Sequence, residues 1–343
     1  MDMLKTAGRA ALAPFWTAAL LTGAKSFVDN PIIGSPWLNE RGLHVARIRL
    51  AAGLARWRRR PLASLVSPED RAAYERDGFV LKPDFLPPEQ FAALDEQVRA
   101  WRGMARETGQ GDTITRRIAL SPPVLARMPA VDALLRTPSW RGLIRYIAGR
   151  GIEPLNYVQT ILPKRTPAPP DPQLSLHADT FHATAKAWLF LTEVDEAPFV
   201  YVPGSHRMTE ARLAWERRVA IGAARSACRL TSRGSFRIAE AELAGLGLPP
   251  PRQFRVPANT LIVADTSGFH ARGPSNRATM RVEIWGYSRT NPFAPWNGFD
   301  PWRHGGIGDF RAEWYWRAAD WLQQAGLRPN VWKEYAGRSA FDD

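Results

Sequence analysis

The sequence predicts an α+β protein, a β-sandwich or barrel with helices packed outside it. Up to residue 149 the apolar spacing is mostly that of amphipathic helices punctuated by Pro and Gly. From Asn156 it shortens to alternating runs separated by Pro, Gly, Asp and Ser. A helical lead-in followed by a run of short strands is the pattern of such folds. The chain has 343 residues, 45% of them apolar and 23% charged, so it can bury a large core and is globular. No internal repeat or low-complexity tract is visible. Cys228 is the single cysteine, which excludes a disulfide framework or a cysteine-rich metal module and suits a reducing compartment such as the cytoplasm.

The elements follow in order. Residues 10–21, "AALAPFWTAALL", form an apolar run after Lys5 and Arg9. It is too short to cross a ~30 Å hydrocarbon core and contains Pro14. A cleaved signal peptide is the minority reading, because "LTGAKSF" is a poor small-x-small site. Residues 42–60, "GLHVARIRLAAGLARWRRR", place Leu43, Leu50, Leu54 and Trp57 on one helical stripe, surrounded by Arg47, Arg49, Arg56 and Arg58 to Arg60. Two readings stay open for it: a surface helix packed on the body, or an interfacial helix on an anionic leaflet, where each Arg is worth ~1 kcal/mol.

Charge bears on that choice. Lys and Arg number 46 against 33 Asp and Glu, a net +13, and residues 1–60 hold ten basic against three acidic residues. Such a patch attracts phosphate on nucleic acid or on a membrane. The basic residues lie beside Leu and Trp and no nucleic-acid motif is present, so a membrane surface is expected and nucleic acid is not. The expected location is cytoplasmic, peripheral at the inner face of the cytoplasmic membrane.

Next, Ser67 is an N-cap, Pro68 the first helical residue and Gly78 the stop. Residues 79–81 read as a short strand and "DFLPPEQFAALDEQVRAW" as a helix through about Trp101. Residues 121–149 are helical with proline punctuation. Strands are expected in "NYVQTILPK", "LSLHAD", "AWLFLTEV", "FVYVPGS", "QFRVP", "NTLIVAD" and "MRVEIWGYS". The tail from Asn291 carries Trp296, Trp302, Trp314, Trp316, Trp321 and Trp332, with Gly305 and Gly306 as a hinge or loop. The expected organisation is a basic amphipathic extension (1–62), a catalytic domain (63–290) and a helical Trp-rich segment (291–343) packing on the domain or covering its site.

The chemistry centres on "LSLHADTFH". On a strand His177 and Asp179 share a face, giving an imidazole and a carboxylate for one metal, while His182 lies beyond it. His44, His206 and His304 sit in the basic helix, a turn and the tail. His270 occupies a strand end within the β region and is the candidate third ligand. Two His and one carboxylate suit non-haem Fe(II) with three open positions, or Zn(II) with a bound water. Arg281, eleven residues after His270 on an apolar strand, needs a partner to be buried, and can clamp the far carboxylate of a dicarboxylate. A zinc hydrolase has no need of it.

The ordered set His177-x-Asp179, His270 and Arg281 resembles the phytanoyl-CoA dioxygenase-like Fe(II)/2-oxoglutarate oxygenases, as do "YERDGFVLKPDFLPPEQFAAL" and "VYVPGSH". The resemblance spans about residues 66–290. It implies a double-stranded β-helix (jelly roll) core with helices outside. It implies Fe(II) held by His177, Asp179 and His270, with 2-oxoglutarate and O2 as cosubstrates. Arg281 would bind the far carboxylate of 2-oxoglutarate, assisted by Thr192 and Gln159. Ala178 and Leu191 depart from the Gln and the aromatic residue that the family often has there, which bears on the finer cosubstrate contacts. Asp179 is present where related halogenases have a small residue, so hydroxylation is implied. His182 and Arg272 are expected at the pocket, and Lys164, Arg165 and Arg272 are available for acidic groups. With the basic segment, these features are compatible with the Kdo 3-hydroxylases of lipopolysaccharide inner core, a glycolipid substrate. A lipid or acyl-chain hydroxylase and one acting on a soluble small molecule are the alternatives.

Overall fold

The computed structural model describes residues 12–296 and 308–343. Lys5, Arg9, Trp302, His304, Gly305 and Gly306, singled out above, lie outside them. In chain order the helices and strands are α1 (residues 12–19), α2 (Pro36–Glu40), α3 (Leu43–Leu62), α4 (Pro68–Asp77), β1 (Phe79–Lys82), α5 (Pro88–Ala100), β2 (Gly103–Gln110) and β3 (Thr113–Ala119). Then come α6 (Pro122–Leu125), α7 (Pro129–Arg136), α8 (Pro138–Ala148), β4 (Leu155–Leu162), β5 (Ala185–Phe190), β6 (Val194–Tyr201), α9 (Glu210–Ala223), α10 (Arg229–Ser232) and α11 (Glu240–Leu243). β7 (Arg252–Val256), β8 (Leu261–Asp265), β9 (His270–Arg272), β10 (Arg281–Ser288), α12 (Arg311–Gln324) and β11 (Lys333–Arg338) complete the chain.

The fold is α+β. An eight-stranded sheet runs in the order β1-β8-β5-β10-β4-β3-β2-β11 and a three-stranded one in the order β7-β6-β9, with helices outside. Period-2 alternation divides the large sheet into two faces. Leu189 on β5 and Val282 and Ile284 on β10 join a core under α5, α7 and α8 with Leu94, Leu134, Trp140 and Ile147. Trp188, Phe190 and Trp285 face the other way, against Phe199, Tyr201 and Phe254 of the small sheet. β10 therefore carries Val282 and Ile284 into the helical core, while Arg281 and Trp285 line a cavity on the other side.

Local signals behave as expected where they are short in range. Ser67 Oγ accepts from Asp70 N, Pro68 opens α4, and Gly78 ends it at φ +86°. A Cβ there would meet His206 Nδ1 and Tyr201 Oη at 2.5 Å, so this stop needs Gly for space as well as for φ. Several readings change. "LSLHAD" is not a regular strand: His177 forms isolated bridges to His270 and Arg237, adding one residue's worth of pairing beside β9. The β2–β3 hairpin and α9 were not read from the sequence. The tail is helical only in part, because β11 pairs with β2 at the edge of the large sheet. Trp316 packs against Tyr157 and Trp332, so part of the Trp-rich segment is core.

The basic helix also packs differently from its apolar stripe. Leu50 and Trp57 are exposed, whereas His44, Arg47, Ile48, Ala51, Ala55, Arg58 and Leu62 are buried. Burying guanidinium groups is tolerable because backbone carbonyls receive them. Arg47 donates to the carbonyls of Leu20, Thr22 and Ala24, and Arg58 to those of Gly149, Pro292 and Ala294. His44 Nε2 lies 3.1 Å from Glu216 Oε2 on α9, which also pairs with Arg212 at 2.8 Å. No helix among the described residues is long and apolar enough to cross a membrane.

Candidate metal centre

His177 and His270 exchange two backbone hydrogen bonds, each N–H donating to the other's carbonyl at 2.9 Å. That pairing sets their rings side by side, with centroids 4.4 Å apart. Ala178 N donates to Phe236 O and Asp179 N to Thr266 O, so the segment is pinned from two directions although it is not a strand. Asp179 Oδ1 then lies 3.7 Å from His177 Nε2, and Oδ2 lies 3.5 Å from His270 Nε2. One ligand atom from each of the three lies within 4.8 Å of the others.

The protonation pattern suits a metal. His177 Nδ1 meets Ser175 O at 2.8 Å and His270 Nδ1 meets Gly268 O at 3.0 Å. A carbonyl only accepts, so Nδ1 carries a proton in each ring and Nε2 is the ring nitrogen turned toward the centre. His177 Nε2 is buried with no hydrogen-bond partner. Burial, and next the neighbouring His270, push the His177 imidazole well below its ordinary pKa, so it is neutral. Burial acts to raise the Asp179 carboxyl, but Lys186 and His270 outweigh it and hold it well below the usual range. Lys186 Nζ stands 2.6 Å from Asp179 Oδ2. Two imidazoles and a carboxylate, with the orphaned buried Nε2 of His177 among their atoms, converge on one point and fit a divalent cation of the 2-His-1-carboxylate type.

The triad opens onto a cavity of about 270 Å³. Arg281 and Gln159 line it. Gln159 belongs to a cross-strand row, since Glu283 on β10 pairs with Gln159 on β4, which pairs with Arg117 on β3, and Arg281 lies two residues before Glu283 on β10. Arg117 Nε donates to Gln159 Oε1 at 2.8 Å, Gln159 Nε2 to Glu283 Oε1 at 2.6 Å, and Arg281 Nε to Glu283 Oε2 at 2.9 Å. Arg117 is covered by the rings of Trp285 and Trp332, and burial lowers its pKa to about 10. It remains a cation at neutral pH.

Of the other expected residues only Arg272 lines this cavity among the described residues. Thr192 does not line the cavity; its hydroxyl accepts from Val282 N. Arg272 lines it and pairs with Asp171. Lys164 pairs with Asp112 at 3.2 Å and Arg165 with Asp343, both away from the cavity. His182 stands in the wall of a second cavity. Burial lowers its pKa to about 3. Arg117, Lys186 and Glu283 were missed, as was Lys25, whose Nζ donates to Asp179 O. The sequence did hold one signal for Arg117: Thr113, Thr115 and Arg117 alternate with Ile114 and Ile118, the mark of a strand with one polar face.

Residues 74–229 match the family model of phytanoyl-CoA dioxygenase (PhyH), which includes His177 and Asp179 and is under half of the chain. With the triad completed by His270, this supports membership of the phytanoyl-CoA dioxygenase-like Fe(II)/2-oxoglutarate oxygenases. It supports an Fe(II)- and 2-oxoglutarate-dependent dioxygenase. Among solved structures, the chain is similar to the epimerase SnoN in complex with Fe3+, alpha ketoglutarate and nogalamycin RO, at 17% identity and TM-score 0.43 over 66% of this chain and 83% of that one. It is also similar to HygX from Streptomyces hygroscopicus with nickel and 2-oxoglutarate bound, at 15% identity and TM-score 0.42 over 65% and 87%. A third is the carbocyclase SnoK from nogalamycin biosynthesis, at 20% identity and TM-score 0.38 over 67% and 85%. No curated protein sequence matches the chain.

Proposed function

We propose that the protein hydroxylates a C–H bond of an acidic substrate. The Kdo sugar of lipopolysaccharide inner core is the first candidate, and an acyl lipid or a soluble acid is the alternative. The observation that carries this reading is the charge of the cavity beside the triad. Arg117, Lys186, Arg272 and Arg281 line it, and among the described residues Asp179 is its one carboxylate lining residue. Arg272 and Arg281 have carboxylate partners in Asp171 and Glu283, whereas Arg117 forms no ion pair among the described residues. A substrate carboxylate beside Arg117 would supply that charge, and Trp188, Trp285 and Trp332 offer flat walls for a sugar ring or an apolar chain.

In this reading the two sheets are those of a double-stranded β-helix. His177, Asp179 and His270 hold Fe(II), and Arg281 takes the far carboxylate of 2-oxoglutarate with Gln159 beside it. When bound, the iron and its cosubstrate supply oxidative decarboxylation to succinate and CO2, coupled to insertion of one atom of O2 into the C–H bond. The chain's own residues orient and enclose. Arg117 positions the substrate, the Nδ1 hydrogen bonds to Ser175 and Gly268 fix the imidazoles, and the Trp walls exclude water. Exposed Leu50 and Trp57, with Arg49 on the same helix, favour peripheral contact of α3 with the anionic inner face of a cytoplasmic membrane.

The test is incubation of the purified protein with Fe(II), 2-oxoglutarate, O2 and a Kdo-bearing lipid A precursor, followed by mass spectrometry. Gain of one oxygen on Kdo with matching succinate supports the sugar. An unmodified precursor alongside productive turnover of another acid sinks the Kdo reading and keeps the hydroxylase. Arg117→Met should raise KM for the acidic substrate far more than it lowers kcat.

A further inference from the structure

A second cavity of about 680 Å³ shares no lining residue with the metal cavity among the described residues. Its walls bring together Arg56, Arg59 and Arg60 of α3, Arg71 of α4 and Arg207 from the turn after β6. Three of the five lie at i, i+3 and i+4 on one helix face. Among the described residues two carboxylates line the same space, Glu75 and Asp265. Asp265 is already engaged by Ser267 Oγ at 2.7 Å, Ser267 N at 3.0 Å, and Thr184 N and Tyr74 Oη at 3.1 Å. Five guanidinium groups therefore face two carboxylates, one of them largely satisfied within the protein.

The cluster is partly fixed in advance. Arg59 donates to Tyr146 O at 3.0 Å and Ile147 O at 2.7 Å and stacks 4.8 Å from the Tyr74 ring. By contrast Arg56, Arg60, Arg71 and Arg207 form no ion pair among the described residues, unlike Arg49 on the same helix, which pairs with Glu210. Guanidinium groups left without carboxylates around one concavity are a ready match for phosphate oxygens. The volume exceeds what a bare phosphate fills and lies in the range of organic ligands. Ala52, Ala55, Phe181 and Met208 give the same cavity an apolar side.

We propose that this second cavity binds a phosphate-bearing organic ligand, with the phosphate on Arg56, Arg60, Arg71 and Arg207 and the apolar part against α3 and Phe181. This site stands whether or not the first cavity is a hydroxylase centre. A phosphate monoester or diphosphate could come from a soluble metabolite or from a lipid headgroup, and the test separates them.

Calorimetric titration with inorganic pyrophosphate, and flotation with phosphatidylcholine vesicles with and without phosphatidic acid, are run on three proteins. These are the wild type, the triple variant Arg56→Gln, Arg60→Gln, Arg71→Gln, and a charge-matched control Arg225→Gln, Arg233→Gln, Arg255→Gln on exposed positions outside the cavity. The expected result is saturable binding that weakens about tenfold or more in the cavity triple and changes less than about twofold in the control. Dependence on these arginines with pyrophosphate alone identifies a soluble phosphate. Dependence with phosphatidic acid vesicles alone identifies a headgroup. Absence of binding to either probe, or equal weakening in both triples, overturns the proposal. Circular dichroism establishes that each variant is folded, and the single variant Arg60→Gln, weakened about threefold, serves should the triple be misfolded.

Discussion

At His177 and His270 the carbonyls of Ser175 and Gly268 hold the Nδ1 protons, leaving both Nε2 atoms free for a cation. A cation that binds the folded state and not the unfolded one must stabilise it. Mn(II), an oxygen-stable substitute for Fe(II), at about 100 times its dissociation constant should add about 2.7 kcal/mol. Thermal melts should rise by several degrees. His270→Ala should abolish that rise while melting near the metal-free wild type. Buried histidines also set the response to acid. His182 and His206 have pKa values lowered by burial to about 3 and about 4, against about 6.5 in the unfolded chain. Below about pH 6.5 the unfolded state takes up their protons first, so stability falls as pH drops and goes on falling to the folded values. Each contributes a slope of about 1.4 kcal/mol per pH unit in that window. Urea midpoints at pH 7.5 and 5.5 measure it, and His206→Asn should flatten the dependence. The convergence of His177, Asp179 and His270 was legible in the sequence because it rests on residue type, order and spacing. Arg117 was not, since its partners Gln159, Trp285 and Trp332 come from three distant segments.

At the scale of elements, capping and close contact govern α4. Ser67→Ala should cost about 1 kcal/mol by removing the acceptor for Asp70 N. Gly78→Ala should cost at least about 2 kcal/mol, because left-handed backbone strain adds to the clash with His206 and Tyr201. Denaturant midpoints for the two variants give the order directly. Both positions were legible, since a cap and a stop are written within a few residues. The buried face of α3 was not. Its apolar stripe points partly to solvent, and the face that packs uses Ala with Arg47 and Arg58, whose carbonyl acceptors lie at residues 20–24, 149 and 292–294. No local pattern reveals those acceptors. His182 shows the same limit: three residues after Asp179, it lines the second cavity and not the first.

For the whole molecule, residues 12–62 are tied into the body and not hung from it. Phe27 and Ile33 join a core with Trp215 and Phe269, Lys25 touches the Asp179 carbonyl, and His44 meets Glu216. Removing residues 1–62 should therefore yield an aggregating or unfolded chain, seen by size exclusion and circular dichroism. A folded soluble remainder would instead show residues 1–62 to be a detachable extension. The far end is integrated as well, because β11 closes beside β2 and Trp332 reaches the metal cavity. The succession of helices and short strands was legible, whereas which strands pair across more than a hundred residues was not. The measurement that bears most directly on the central claim is anaerobic calorimetry of 2-oxoglutarate binding with and without Fe(II). Saturable binding should require the metal, vanish in His177→Ala and weaken about tenfold or more in Arg281→Met. Binding that is absent in the Fe(II)-loaded wild type, or indifferent to the metal and to both substitutions, would contradict an Fe(II)/2-oxoglutarate centre at His177, Asp179 and His270.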